Sequence, residues 1–172
     1  MAHDSLEPSD WVRRWAPLIT RGPVLDVASG SGRHAKFLAA RRLEVVAVDR
    51  EVQALPEGIT FVEADLEDGS PWPFEGQRFG AIVVTNYLHR PLLPVLARSL
   101  AEEGVLIYET FMVGNEKFGK PSNPSFLLRP GELLQAFAGL TVAGFEQGTT
   151  HKAALQRVCV IRAGVGSVRI PA

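Results

Sequence analysis

Hydrophobic positions along the chain fall into short runs separated by polar turns, and the period changes from run to run. Val24 to Ala28, Val45 to Val48, Ile59 to Ala64, Ala81 to Val84 and Val105 to Tyr108 are apolar stretches of strand length. The first is interrupted only by Asp26. Between them lie segments with helical spacing. Trp11 to about Ile19 follows the capping pair Ser9-Asp10, and Gly32 to about Arg42 carries Ala35, Phe37, Leu38 and Ala39. Leu92 to Leu100 reads as a helix closed by Gly104, and Pro130 to Ala138 as one that starts on proline and ends at Gly139. Leu140 to Gln147 and Ala154 to Ile161 read as two further strands. About six residues join them, too few for a parallel crossover, which predicts an antiparallel hairpin.

This alternation predicts an α/β fold: a Rossmann-like, seven-stranded, mostly parallel sheet with a C-terminal antiparallel hairpin and helices on both faces. No repeat, low-complexity tract or linker interrupts it. The 172 residues suit one domain over 1–172, with residues 1–22 as an N-terminal helical segment. In such sheets ligands bind beyond the carboxyl ends of the strands. That rule gathers Ala28 to Gly32, Asp49, Asp65, Asn86 and Glu109 at one edge.

Composition narrows the chemistry by exclusion. A formal charge of -1 gives no overall electrostatic reason to bind nucleic acid. The single Cys159 excludes an internal disulfide, a multi-cysteine zinc site and a cysteine-ligated cluster, and points to a reducing compartment. Cys159 itself, among Val158, Val160 and Ile161, reads as core. Met1 to Asp10 is polar and acidic, without the pattern of an export signal, and no apolar run reaches membrane-spanning length. The expectation is a cytoplasmic protein without a membrane partner.

The turn Ala28-Ser29-Gly30-Ser31-Gly32 joins the first strand to the first helix, where glycines let the backbone bend and approach a ligand closely. Asp49 and Asp65 end the next two strands. A carboxylate at the first suits both hydroxyls of an adenosine ribose; one at the second can accept from an adenine amine. Asp26-Val27-Ala28-Ser29-Gly30-Ser31-Gly32, Asp49 and Asp65 resemble successive motifs of the class I S-adenosylmethionine-dependent methyltransferases. The order of elements is similar too, over nearly the whole chain. Ala28 stands where family members often have a first glycine. Gly30-Ser31-Gly32-Arg33-His34-Ala35 and the short chain are similar to the small tellurite-resistance-like methyltransferases.

The resemblance implies S-adenosylmethionine as cofactor and S-adenosylhomocysteine as product. It places Ala28, Gly30 and Gly32 around the methionine moiety, Asp49 at the ribose, Asp65 and Leu66 at the adenine, and Asn86 with Tyr87 beneath the sulfonium. Asp26 and Arg50 complete the implied cofactor set. The implied reaction is in-line methyl transfer to an unidentified small-molecule acceptor, needing a protein base only if the nucleophile arrives protonated. Asn86-Tyr87-Leu88-His89 lacks the Asx-Pro-Pro-aromatic pattern of many enzymes that methylate nucleic-acid amines, although nucleic acid and protein acceptors stay open. So does a catalytically silent binding module. An NAD(P)-dependent reductase would share the glycine turn and Asp49, but neither Tyr87 nor Tyr108 has a lysine four residues later.

Tyr87 and His89 follow the fourth strand, Glu109 closes the fifth, and His151 lies in the hairpin turn. These four are expected to face the transferable methyl together: His89 or His151 as base near neutral pH, Tyr87 orienting the acceptor, Glu109 holding an imidazole or a cation. Phe111 to Leu128 shows little periodicity. Its Lys117 and Lys120, with Arg129 next to it, make it basic, and Phe111, Phe118 and Phe126 supply apolar contacts. Residues 112–128 are therefore expected to cover the acceptor and to be more mobile than the strands. Trp11 and Trp15 share a helical face and are expected to pack on the sheet.

Overall fold

The computed structural model describes residues 6–163, 166 and 168–172; the first half of the polar stretch from Met1 to Asp10 lies outside them. Strands β1 (Val24–Val27), β2 (Val45–Asp49), β3 (Ile59–Glu63), β4 (Phe79–Thr85), β5 (Leu100–Phe111), β6 (Thr141–Thr149) and β7 (Ala154–Ile161) form one sheet in the order β3-β2-β1-β4-β5-β7-β6. The first five are parallel, and β7 inserts antiparallel between β5 and β6. The seven-stranded architecture and its closing hairpin match the expectation.

Strands buried on both faces read as unbroken apolar runs, which is why β1 and β4 carry so little alternation. Their side chains nevertheless divide by parity. Leu25, Val27, Ile82, Val84, Leu106, Tyr108 and Val158 pack on one face with α3 (Leu93–Arg98) and α4 (Glu132–Ala136). Val24, Ala81, Val83, Val105, Ile107 and Cys159 pack on the other with α1 (Asp10–Trp15) and α2 (Arg33–Ala40). Each fully buried aliphatic contributes about 1.5–3 kcal/mol. Cys159 is core, and burial pushes its thiol up to about 12.

Helix α1 starts at Ser9, whose hydroxyl accepts from the Trp11 and Val12 amides. Both tryptophans are buried against the sheet, with ring centroids 5.6 Å apart in an edge-to-face pair, and Trp11 Nε1 donates to the Val158 carbonyl at 3.2 Å. Gly144 in β6 makes the space: a Cβ there would overlap the Trp15 ring.

Three local expectations change. The segment after β4 forms a 3-10 turn at Arg90–Leu92 and then α3, ending at Arg98; Leu100 already pairs with Phe79. Gly104 therefore caps no helix. It sits in a bend of β5 where a Cβ would stand 2.8 Å from the Ala101 carbonyl and 3.0 Å from that of Phe79. Helix α4 begins at Glu132 after Gly131 in a left-handed conformation, so Pro130 precedes the helix. The connections over residues 51–58 and 66–78 carry no helix.

Candidate active site

At the carboxyl edge of β1 to β5 lies a cavity of about 560 Å³. Eight residues singled out above line it: Ala28, Gly30, Asp49, Arg50, Asp65, Leu66, Asn86 and Tyr87. Strand order distributes its walls. Asp49, Arg50, Glu51, Ala64, Asp65, Leu66 and Glu67 follow β2 and β3 at one end. Thr110, Phe111, Pro121 and Phe126 belong to β5 and the segment after it at the other. Ala28, Gly30 and Asn86 to Leu88 stand between them.

The strand ends are shaped by unusual backbone. Ala28 and Asn86 have φ of 52° and 54°, positions that cost a non-glycine residue about 1–2 kcal/mol. The Asn86 amide donates to the Glu109 carbonyl at 2.9 Å, which holds that bend. Gly30 also has φ of 52°, and the space where its Cβ would stand is open. The Asp49 carboxylate accepts from the Gly30 amide and, through its other oxygen, from the Glu51 amide, both at 2.9 Å. Asp65 accepts from the Glu67 amide at 2.9 Å. Each carboxylate keeps lone pairs to spare. Acceptor-only groups at two successive strand ends suit the hydroxyl and amine donors of an adenosine, and the open backbone at Gly30 leaves a cradle beside them. The residues present fit S-adenosylmethionine.

Asp26 and Gly32 stand behind this wall. Gly32, with φ of 74°, is the N-cap of α2, and a Cβ there would overlap Leu55. Asp26 is buried and accepts from the Ala35 amide at 3.0 Å, tying β1 to the first turn of α2. Burial raises its carboxyl from 3.8 to about 7, against the opposing pull of that hydrogen bond and Arg33. The folded protein thus keeps a proton that the unfolded chain releases. Stability attributable to Asp26 is full below about pH 4 and is lost progressively as pH rises toward about 7. Asp26→Asn keeps an acceptor but cannot ionise. Thermal unfolding should show the variant gaining on wild type as pH rises from about 5 to about 8; a constant difference contradicts this.

The four catalytic candidates do not converge. Tyr87 lines the cavity, and its hydroxyl donates to Glu67 Oε1 at 3.4 Å. Burial first, then Glu67 and Asp65, raise the Tyr87 phenol above its ordinary range, so it stays a donor. His89 lies just outside, its Nδ1 3.6 Å from the same Glu67 oxygen. Glu109 turns to the α1 face, where its Oε2 is 2.6 Å from Arg157 Nε; Arg157 also reaches Glu146 at 3.3 Å. These three stand in register across β5, β7 and β6. His151 is exposed in the hairpin turn, away from the cavity.

Glu67 and Thr110 are cavity residues that the sequence reading passed over. Glu67 follows Asp65 in an irregular stretch, and its one signal was its position just beyond an acidic strand end. Residues 112–128 do reach the cavity, through Pro121 and Phe126. Two 3-10 turns, Asn115–Lys117 and Pro124–Phe126, give this segment local order. Buried Asn115 anchors it, accepting from the Ala154 amide at 3.1 Å and donating to the Pro121 carbonyl at 3.0 Å. Among the described residues no helix is long and apolar enough to cross a membrane.

The family described as a methyltransferase domain matches residues 25–107. No curated protein sequence matches the chain. Among solved structures, TehB from Haemophilus influenzae superposes with a TM-score of 0.72 at 16% identity over 93% of this chain; the chain spans 64% of TehB's length. Magnesium protoporphyrin IX methyltransferase from Synechocystis PCC 6803, solved with S-adenosylhomocysteine, gives 0.63 at 16% identity, covering 88% of this chain and 78% of its own. The 1,6-didemethyltoxoflavin-N1-methyltransferase from Burkholderia thailandensis, also solved with S-adenosylhomocysteine, gives 0.64 at 17% identity, covering 90% and 76%. These likenesses are of fold. The methyltransferase-domain match thus falls on strands β1 to β5, whose carboxyl ends build the cavity, and the solved structures share the fold of the whole sheet.

Proposed function

We propose that this protein transfers the methyl group of S-adenosylmethionine to a small-molecule acceptor. The observation that carries the reading is the cavity itself, with an open glycine backbone and two acidic strand ends along one wall. Bound there, the cofactor supplies an electrophilic sulfonium methyl. Asp49 accepts from the ribose hydroxyls, with Arg50 beside it. Asp65 and Leu66 hold the adenine, and Ala28, Gly30 and Asn86 border the methionine part. Asp26 and Gly32 act at one remove, by fixing the turn and the start of α2.

The acceptor then occupies the β5 end. Its lining by Thr110, Phe111, Pro121 and Phe126 carries no charged side chain, so that end supplies apolar contact and alignment, the main requirements of an in-line displacement. Tyr87, held as a donor, orients the acceptor from the middle of the cavity. Glu67, with His89 beside it, holds the Tyr87 hydroxyl; Glu109 and His151 take no step. A cavity of about 560 Å³ shared with the cofactor supports a small acceptor. The names of the Synechocystis and B. thailandensis enzymes, each acting on a small molecule, support the same class.

Methyl-labelled cofactor incubated with protein and a cell extract split by size should label the small-molecule fraction. Label confined to nucleic acid or protein contradicts the acceptor class.

A further inference from the structure

Arg90 grips a part of the chain 35 to 42 residues away. Its Nε donates to Glu132 Oε1 at 2.6 Å and its Nη2 to Glu132 Oε2 at 3.0 Å. Nη1 donates to the Ser125 carbonyl and Nη2 to the Leu127 carbonyl, both at 2.9 Å. Glu132 is buried at the start of α4, and its Oε2 also accepts from the Arg129 amide at 2.7 Å. Burial opposes its ionisation, but Arg90 and that amide outweigh burial and hold the carboxyl below its ordinary range. A planar guanidinium with divergent donors makes this grip; a lysine ammonium cannot span it.

The two carbonyls flank Phe126, which lines the cavity although half of it is exposed. The other hydrogen bonds of residues 125–127 are local: the Ser125 amide and hydroxyl and the Phe126 amide to Asn123, and the Leu127 amide to Pro124. One residue on, the Leu128 amide donates to the Phe111 carbonyl at 3.0 Å and the Leu128 carbonyl accepts from the Val113 amide at 2.9 Å, which ties the far end of the segment to β5 and leaves the turn that carries Phe126 to Arg90. On its own side, Arg90 follows Asn86 to Leu88, which supply the middle of the same cavity, with His89 alone between them. One side chain thus joins the cavity's floor to its β5-end wall.

We propose that Arg90 is a positioning residue that fixes Phe126 over the β5 end of the cavity, so that the acceptor half is formed before an acceptor arrives. Calling that half the acceptor's rests on the methyl-transfer reading; the grip and its effect on an apolar ligand do not.

The test is a double-mutant cycle with N-phenyl-1-naphthylamine, a neutral apolar fluorophore, titrated with and without S-adenosylhomocysteine. Arg90→Lys and Phe126→Ala should each weaken probe binding, by about tenfold or more for the loss of charge-assisted bonds at Arg90. The double variant should bind no more weakly than Phe126→Ala alone, because Arg90 acts through that ring. Hydrogen exchange at 125–127 should rise in Arg90→Lys while Leu128, β5 and β7 stay protected, and affinity for S-adenosylhomocysteine should not change. Glu132→Gln keeps the size and loses part of the grip, so it should fall between. Additive losses, no probe binding by wild type, or exchange rising across the sheet in both Arg90→Lys and Glu132→Gln would overturn the proposal. Wild-type protein that fails to bind S-adenosylhomocysteine contradicts the methyl-transfer reading instead, and the cycle without it still decides the role of Arg90.

Discussion

Replacing Asp49 with alanine should weaken binding of S-adenosylhomocysteine by about 1.5–3 kcal/mol, roughly ten- to a hundredfold, the loss expected when hydrogen bonds to a charged group disappear. Both Asp49 oxygens already accept backbone amides, from Gly30 and Glu51. These bonds fix the carboxylate toward the cavity and leave its remaining lone pairs for the ribose. The substitution removes those acceptors and frees the Gly30 amide at the same time. Asp49→Asn retains one acceptor oxygen and should lose less. Calorimetric titration measures both; wild-type affinity in a folded alanine variant removes Asp49 from the site.

The second large effect is on stability and lies on the opposite face from α3 and α4. Trp15→Ala should lower the free energy of unfolding by about 3–5 kcal/mol, the range for deleting a buried aromatic. The ring is almost wholly buried, and its neighbours cannot easily close the gap, because it fills the space left by the missing side chain of Gly144. Gly144→Val should be destabilising from the other side, by overpacking against the same ring. Denaturant unfolding tests both. A loss below about 1 kcal/mol for Trp15→Ala would mean that α1 is loosely attached.

Much of this architecture is legible in the sequence because buried parallel strands are short unbroken apolar runs, and each run here ends at a polar residue on the same edge. That is enough to bring Ala28, Gly30, Asp49, Asp65 and Asn86 together. The same uniformity hides which way a side chain faces. Val105 to Tyr108 is apolar at every position, so nothing in the run shows that Glu109 shares the α1 face with Ile107, while Thr110 shares the cavity side with Tyr108. His151 fails for a lateral reason. Its turn is at the expected edge, but β6 lies three strands from β4, roughly 14 Å at ordinary strand spacing. The insertion of β7 between β5 and β6 leaves no mark in local sequence. Gly104 has the look of a helix cap because glycine commonly ends helices; here it serves a bend in β5 where two carbonyls approach. Glu67 and Arg90 escape notice because their partners are distant in sequence.

Calorimetric titration of the purified protein with S-adenosylhomocysteine, and in parallel with NADH and NADPH, tests the central claim most directly. The acidic strand ends and the glycine turn are shared by nucleotide sites of several kinds, so the choice of ligand is what separates them. The account predicts one-to-one binding of S-adenosylhomocysteine and none of either nicotinamide. Saturable binding of NADH or NADPH without binding of S-adenosylhomocysteine would contradict it.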